Sequence, residues 1–199
     1  MRSAVFLDRD GVLNELVEDP LSGTAEAPLK LEDVRLIPGA SAAAARLARA
    51  GYALVCVSNQ PAAAKDRVAV AQLHAIHQRV KDLLAREGVT LTASRLCLHH
   101  PHGVLARLSG PCPCRKPAPG MLLDAAGALG LDLASSWMVG DTDADVEAGR
   151  AAGCRTLLIC NPASVHKRLQ VLSADAVADS LAEAAARLVC QQSETFVEK

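Results

Sequence analysis

Val5-Phe6-Leu7-Asp8-Arg9-Asp10-Gly11 sets two carboxylates two residues apart where an apolar run ends. A carboxylate so placed can attack phosphorus, and a second one can protonate the leaving oxygen and later activate water. Asp8 is the candidate nucleophile and Asp10 the candidate acid/base, with Gly11 permitting a sharp turn. Asp-x-Asp-Gly also suits an ordinary acidic turn, so a second acidic cluster matters. Trp137-Met138-Val139-Gly140-Asp141-Thr142-Asp143-Ala144-Asp145 again follows an apolar run and offers Asp141 as a partner for Asp8. Carboxylates gathered without a cation raise one another's pKa, and hard oxygen ligands suit Mg2+, so a divalent ion is implied if the two loops converge. Asp143 also fits the first turn of a helix, and Asp145 fits a supporting position. Ser58, followed by Asn59, can offer its hydroxyl and nearby N–H groups to phosphate or can cap a turn. Lys116 can neutralise charge shared by a phosphate and the nucleophile, although most lysines are solvated surface residues.

A different chemistry is written into Cys97-Leu98-His99-His100-Pro101-His102 and Cys112-Pro113-Cys114. Residues two apart on an extended chain face the same side, so Cys97 with His99 and Cys112 with Cys114 make two ligand pairs. Three thiolates and one imidazole suit tetrahedral Zn2+, and a closed set of four is usually structural. Buried or incidental thiols are the alternative. His99 is preferred to His100 and His102 as the imidazole ligand. Cys114 is joined directly to Arg115-Lys116, so an ion that holds Cys114 also holds the phosphate-facing lysine. Cys56, Cys154, Cys160 and Cys190 stand in apolar contexts and are expected in the core.

The elements that must position these groups alternate along the chain. Strands are predicted at Ala4 to Leu7, Tyr52 to Val57, Arg95 to Leu98, Trp137 to Val139 and Thr156 to Cys160. Helices are predicted at Ala40 to Ala50, Val68 to Arg86, Gly120 to Leu129, Asp143 to Ala152 and Leu181 to Val189, the last capped by Ser180 with Glu183. Strands alternating with helices imply an α/β fold, a Rossmann-like parallel sheet flanked by helices. Asn14 to Val34 and His99 to Pro119 break the alternation just after predicted strands, where open α/β sheets bind ligands. The first is too short for a full cap domain. One domain is expected over 1–190, with a zinc-binding loop at 97–119 and a flexible tail at 191–199.

Composition excludes several classes. The 199 residues carry 21 basic and 22 acidic side chains for a net charge of −1, which gives no broad attraction for nucleic acid or an anionic membrane. Phe6, Tyr52, Trp137 and Phe196 are the four aromatic residues, too few for a base-stacking platform. No apolar run approaches a membrane span, and the first apolar run meets Asp8 too early for a signal-peptide core, so a cytoplasmic location is expected; the apolar residues are consumed by the predicted core, so a monomer is expected.

Asp8-Arg9-Asp10-Gly11, Ser58, Lys116 and Gly140-Asp141 with Asp145, in that order, resemble the four motifs of the haloacid dehalogenase-like phosphohydrolases. The resemblance implies Asp8 as nucleophile, Asp10 as acid/base with its backbone carbonyl on Mg2+, Ser58 and Lys116 on phosphate, and Asp141 on Mg2+. Within that superfamily, Cys97-x-His99 with Cys112-Pro113-Cys114-Arg115-Lys116-Pro117 resembles the heptose 1,7-bisphosphate phosphatases and their histidinol-phosphate relatives. The long gap between His99 and Cys112 is similar to the heptose branch, which implies Arg115 on the sugar or its second phosphate and removal of the 7-phosphate. Thr142 stands where that branch commonly carries lysine, and Pro61-Ala62-Ala63-Ala64-Lys65 where it carries a Gly-containing segment. Alternatives are a histidinol-phosphate or other sugar-phosphate phosphatase and, outside catalysis, a phospho-acceptor or zinc-stabilised binding module.

Overall fold

The computed structural model describes residues 2–169 and 174–197, with side chains to 191. Six strands form one parallel sheet in the order β5-β4-β1-β6-β7-β8: β1 (Ala4–Leu7), β4 (Ala53–Asn59), β5 (Ala93–Cys97), β6 (Trp137–Gly140), β7 (Arg155–Ile159) and β8 (Ala176–Ala178). β1 is paired on both edges and covered on both faces, which is why Ala-Val-Phe-Leu reads as an unbroken apolar run. Its alternate residues enter opposite layers. Val5 and Leu7 pack with helices α1 (Ala40–Arg49), α2 (Val70–Arg86) and α5 (Leu181–Val197). Ala4 and Phe6 pack with α3 (Gly120–Leu129) and α4 (Asp143–Ala152).

The chain leaves β1 toward β4 and β5, then crosses back to β6 on the other side. The carboxyl ends of β1, β4 and β6 therefore meet where the winding reverses, and Asp8, Ser58 and Asp141 stand there. Ser58 lies within β4, and Asp8 and Asp141 directly follow β1 and β6.

Several expectations change in detail. The Asn14 to Val34 stretch contains an antiparallel hairpin, β2 (Val17–Glu18) with β3 (Ala25–Glu26). Asp19 anchors its turn by accepting both arms of the Arg67 guanidinium, at 2.7 and 2.8 Å. β8 was not predicted, because three residues are too few to show a period. α5 runs to Val197, beyond the expected end at Val189; of the expected tail 191–199, residues 198–199 and the side chains from 192 lie outside the described residues. Ser180 Oγ accepts the Glu183 N–H, but the Glu183 carboxylate returns to the N–H of Asp179 rather than Ser180. Cys56 and Cys154 are buried as expected, whereas Cys160 is half-buried and Cys190 is exposed on α5. No helix among the described residues is long and apolar enough to cross a membrane.

Candidate active site

Asp8 takes up its position by continuing the sheet, its N–H donating to Val139 O at 3.0 Å. Gly11 then turns the chain at φ +88°, and a Cβ there would overlap the Asp141 carboxylate, so only glycine lets the two acidic loops meet. Asn161, after β7, donates to Gly11 O at 2.9 Å. Ser164 and Arg168 both donate to the backbone carbonyl of Asp141, at 3.2 and 3.1 Å. The segment 161–169 thus braces both acidic loops, a role with no local sequence signal beyond its place after a strand.

Lys116 is 3% exposed and lies between the loops. Its Nζ is 3.0 Å from Asp8 Oδ1, and it donates to Asp145 Oδ1 at 2.6 Å and Val57 O at 2.9 Å. Burial disfavours its charge, but the Asp145 and Asp8 carboxylates outweigh burial and raise its pKa. Asp145 is itself fixed by Thr142, whose N–H and hydroxyl donate to Oδ2 at 3.1 and 2.6 Å. Asn59 clasps the Lys116 peptide, its Nδ2 donating to Lys116 O and its Oδ1 accepting from Lys116 N. The expected substrate residue Asn59 therefore spends its amide on orienting Lys116, although it also lines the cleft.

The carboxylates of Asp8, Asp141 and Asp145 offer oxygens within 4.8 Å of one another. Burial, opposed by Lys116 and reinforced by Asp145 and Asp10, pushes the Asp8 carboxyl up to about 6. Burial followed by the charges of Asp8 and Asp145 pushes Asp141 up to about 8. Asp141 Oδ1 is buried without a hydrogen-bond partner. An orphaned buried oxygen beside a second carboxylate fits a divalent cation held by Asp8 and Asp141, with Asp145 already occupied by Lys116 and Thr142. The Asp10 side chain does not join this group. Its carboxylate accepts from Arg9 at 3.1–3.2 Å, Asn14 at 2.9 Å and Gln60 at 2.6 Å, which leaves only its backbone for the expected metal contact. Arg9, Asn14 and Gln60 carried no role in the sequence reading; Gln60 also donates to Ser58 Oγ at 2.9 Å and so couples Asp10 to Ser58.

Asp8, Asp10, Ser58, Asn59, Lys116 and Asp141 line a cleft of about 350 Å3 with Arg115, Lys65, Thr142, Glu26 and Lys167. Glu26, on β3, accepts from Lys167 at 2.7 Å and brings the hairpin across the mouth. Beside the cleft, Cys97, His99, Cys112 and Cys114 converge, their ligand atoms all within 4.8 Å of one another. The separations of 3.0–3.9 Å bracket the value of about 3.8 Å that a tetrahedron of bonds near 2.3 Å requires, so the set fits one zinc ion. His99 Nδ1 faces Cys97 and Cys114, whereas His102 is exposed.

The family model described as HAD-hydrolase-like matches residues 113–184, the stretch that carries Lys116, Asp141 and Asp145. A D-glycero-D-manno-heptose-1,7-bisphosphate 7-phosphatase of Thermosynechococcus vestitus is 43% identical over 162 residues, 79% of each chain. The chain belongs to the haloacid dehalogenase-like phosphatases. A family member of Escherichia coli K12, named D-glycero-beta-D-manno-heptose-1,7-bisphosphate 7-phosphatase, is 35% identical over 180 residues, 90% of each chain. A D,D-heptose 1,7-bisphosphate phosphatase from B. bronchiseptica, solved with magnesium and phosphate, superposes with a TM-score of 0.77 at 31% identity, covering 95% of this chain and 99% of that one.

Proposed function

We propose that this phosphatase removes the 7-phosphate of D-glycero-D-manno-heptose 1,7-bisphosphate through a phosphorylated Asp8. The observation that carries the chemistry is the meeting of Asp8, Lys116 and Asp141 at the floor of one cleft. The substrate rests on the names of relatives that match most of the chain. Arg9 N–H and Lys116 hold Asp8 Oδ1, which points attack to Oδ2. Oδ2 bonds to phosphorus as the phosphorus–oxygen bond to the sugar breaks, and Asp10 gives its proton to the departing oxygen. Asp10 then takes a proton from water, whose oxygen attacks phosphorus and displaces Asp8. Arg9, Asn14 and Gln60 keep Asp10 aimed through both steps, and Ser58 and Lys116 bind phosphate oxygens.

Asp8, Asp141 and the Asp10 carbonyl would hold magnesium, which supplies positive charge against the phosphate and lets two buried carboxylates stay ionised. Cys97, His99, Cys112 and Cys114 would hold a structural zinc that fixes Arg115 and Lys116 by way of Cys114. The chain acts as a single cytoplasmic catalytic domain without a cap, with the hairpin and the zinc loop framing entry.

The test is phosphate release with Mg2+ from both anomers of heptose 1,7-bisphosphate, from histidinol phosphate and from a sugar-phosphate panel, with Asp8→Asn as the blank. Preference for the heptose bisphosphate is expected. Turnover confined to histidinol phosphate would reassign the substrate, and no Asp8-dependent turnover of any member would overturn the reading.

A further inference from the structure

Asp10 is held from behind by two side chains shut off from solvent. The Arg9 guanidinium, 0% exposed, donates to the Asp10 carboxylate through Nε and Nη2 at 3.1–3.2 Å, so Nη1 is the corner left over. Asn14, also 0% exposed, donates Nδ2 to Asp10 Oδ1 at 2.9 Å and to Glu15 O at 3.0 Å. Both of those partners are acceptors, which fixes Asn14 Oδ1 as the end turned elsewhere. Arg9 Nη1 and Asn14 Oδ1 are buried and have no hydrogen-bond partner among the described residues. Buried polar groups left in that state are costly.

Two further buried atoms answer them. His77, on the inner face of α2, is 8% exposed, and neither its Nδ1 nor its Nε2 has a partner among the described residues. Its helix neighbours Ile76 and Val80 pack in one apolar cluster with Val12 and Leu13, which lie between Arg9 and Asn14 in the chain. α2 therefore sets the ring against the loop that carries both orphans. The other side chains that α2 buries are Leu73, Ile76, Val80 and Leu84, so packing alone does not call for a histidine. A neutral imidazole has one donor and one acceptor, whereas Arg9 Nη1 lacks an acceptor and Asn14 Oδ1 lacks a donor. The deficits are complementary. Burial, then the charges of Arg9 and Lys81, with Asp10 opposing and His74 adding, push the His77 pKa down to about 4, so the ring is neutral at pH 7. None of the four atoms bonds directly to another; one buried water, which makes about two to four hydrogen bonds, bridges groups so placed.

We propose that His77 is a positioning residue for Asp10, its neutral ring completing the hydrogen bonding of Arg9 and Asn14 and so holding the Asp10 carboxylate toward the reacting phosphate. This rests on Asp10 as the acid/base of the function proposed above and extends that site, through Arg9 and Asn14, to a residue on α2.

The test uses the full chain with both metals and heptose 1,7-bisphosphate. His77→Leu should lower kcat by about 10- to 100-fold, the scale of a misplaced acid/base. KM and the Mg2+ concentration for half-maximal rate should move by less than about threefold, because substrate and metal bind elsewhere. His77→Gln, which keeps a donor and an acceptor, should recover most of the loss. In an Asp10→Asn background, His77→Leu should cost less than about threefold, because the group it positions is gone. A loss of the same size with and without Asp10, or no loss with Asp10 present, overturns the positioning role. Nitrogen-15 spectra of the wild-type ring read the same proposal without any variant: at pH 7 one ring nitrogen should carry hydrogen and the other should be bare and show the shift of an acceptor. An imidazolium, or a ring exchanging freely between tautomers, overturns it. Wild-type turnover by Asp10→Asn alone would instead overturn the acid/base reading on which the proposal rests, so the two failures are distinguishable.

Discussion

Replacing Lys116 by methionine tests the electrostatic account of the site most directly. The methionine keeps the length of the buried stem and removes the ammonium, which the structure shows between Asp8 and Asp145 at 3.0 and 2.6 Å with a third bond to Val57 O. Two carboxylates would then lie buried beside Asp141 with no cation. Breaking a buried ion pair from one side costs about 3–5 kcal/mol. For a chain of this size, where 1 kcal/mol shifts Tm by about 2–4 °C, that is about 6–20 °C at pH 8 without magnesium. The cost should depend on pH with a definite sign. Asp8 already has a raised carboxyl pKa in the folded state, and losing Lys116 raises it further. A folded-state pKa above the unfolded value means that stability is fully present below the unfolded pKa and lost as pH rises through the folded one. Lys116→Met should therefore approach wild-type stability near pH 5 and diverge from it toward pH 8. Thermal or urea unfolding at both pH values reads this out. A penalty under about 1 kcal/mol at pH 8, or the same penalty at both pH values, would refute the account.

Gly11→Ala should cost about 1–2 kcal/mol through its positive φ and, by displacing the Asp141 carboxylate, weaken Mg2+ binding at least about tenfold in calorimetry; unchanged affinity would count against Asp141 as a ligand. The magnesium-free protein should lose stability as pH rises from about 4 to about 8, because Asp8 and Asp141 are raised to about 6 and about 8, and the Tm gain on adding Mg2+ should grow over that interval. A gain that is flat with pH would mean the ion does not sit on those carboxylates. Chelation should release one zinc per chain, speed amide exchange across 97–119 and lower kcat, since Cys114 is two residues from Lys116; full activity after complete zinc removal would separate the loop from catalysis.

The legible part of this protein is local. β1 shows itself as an unbroken apolar run because both its faces are covered, and α2 because its buried residues repeat at helical spacing. Asp8, Asp10 and Asp141 stand out because carboxylates at strand ends interrupt such runs, and Cys97-x-His99 and Cys112-x-Cys114 because side chains two apart on an extended chain face one way. β8 escaped because three residues, a single turn of alternation, carry too little pattern.

What only the tertiary structure decided is which polar groups were spent on one another. Nothing local distinguishes Asn59 as the clasp of Lys116 or Gln60 as the link between Ser58 and Asp10. Glu26 with Lys167 and Asn161 with Gly11 are each more than a hundred residues apart in the chain. Secondary structure follows from short-range periodicity and burial, so the chain alone determined the α/β alternation, the acidic strand ends and the thiol pairs. A buried hydrogen bond depends on where distant loops land, and that was decided by the parallel sheet, whose reversal at β1 brings the ends of β1, β4 and β6 to one place.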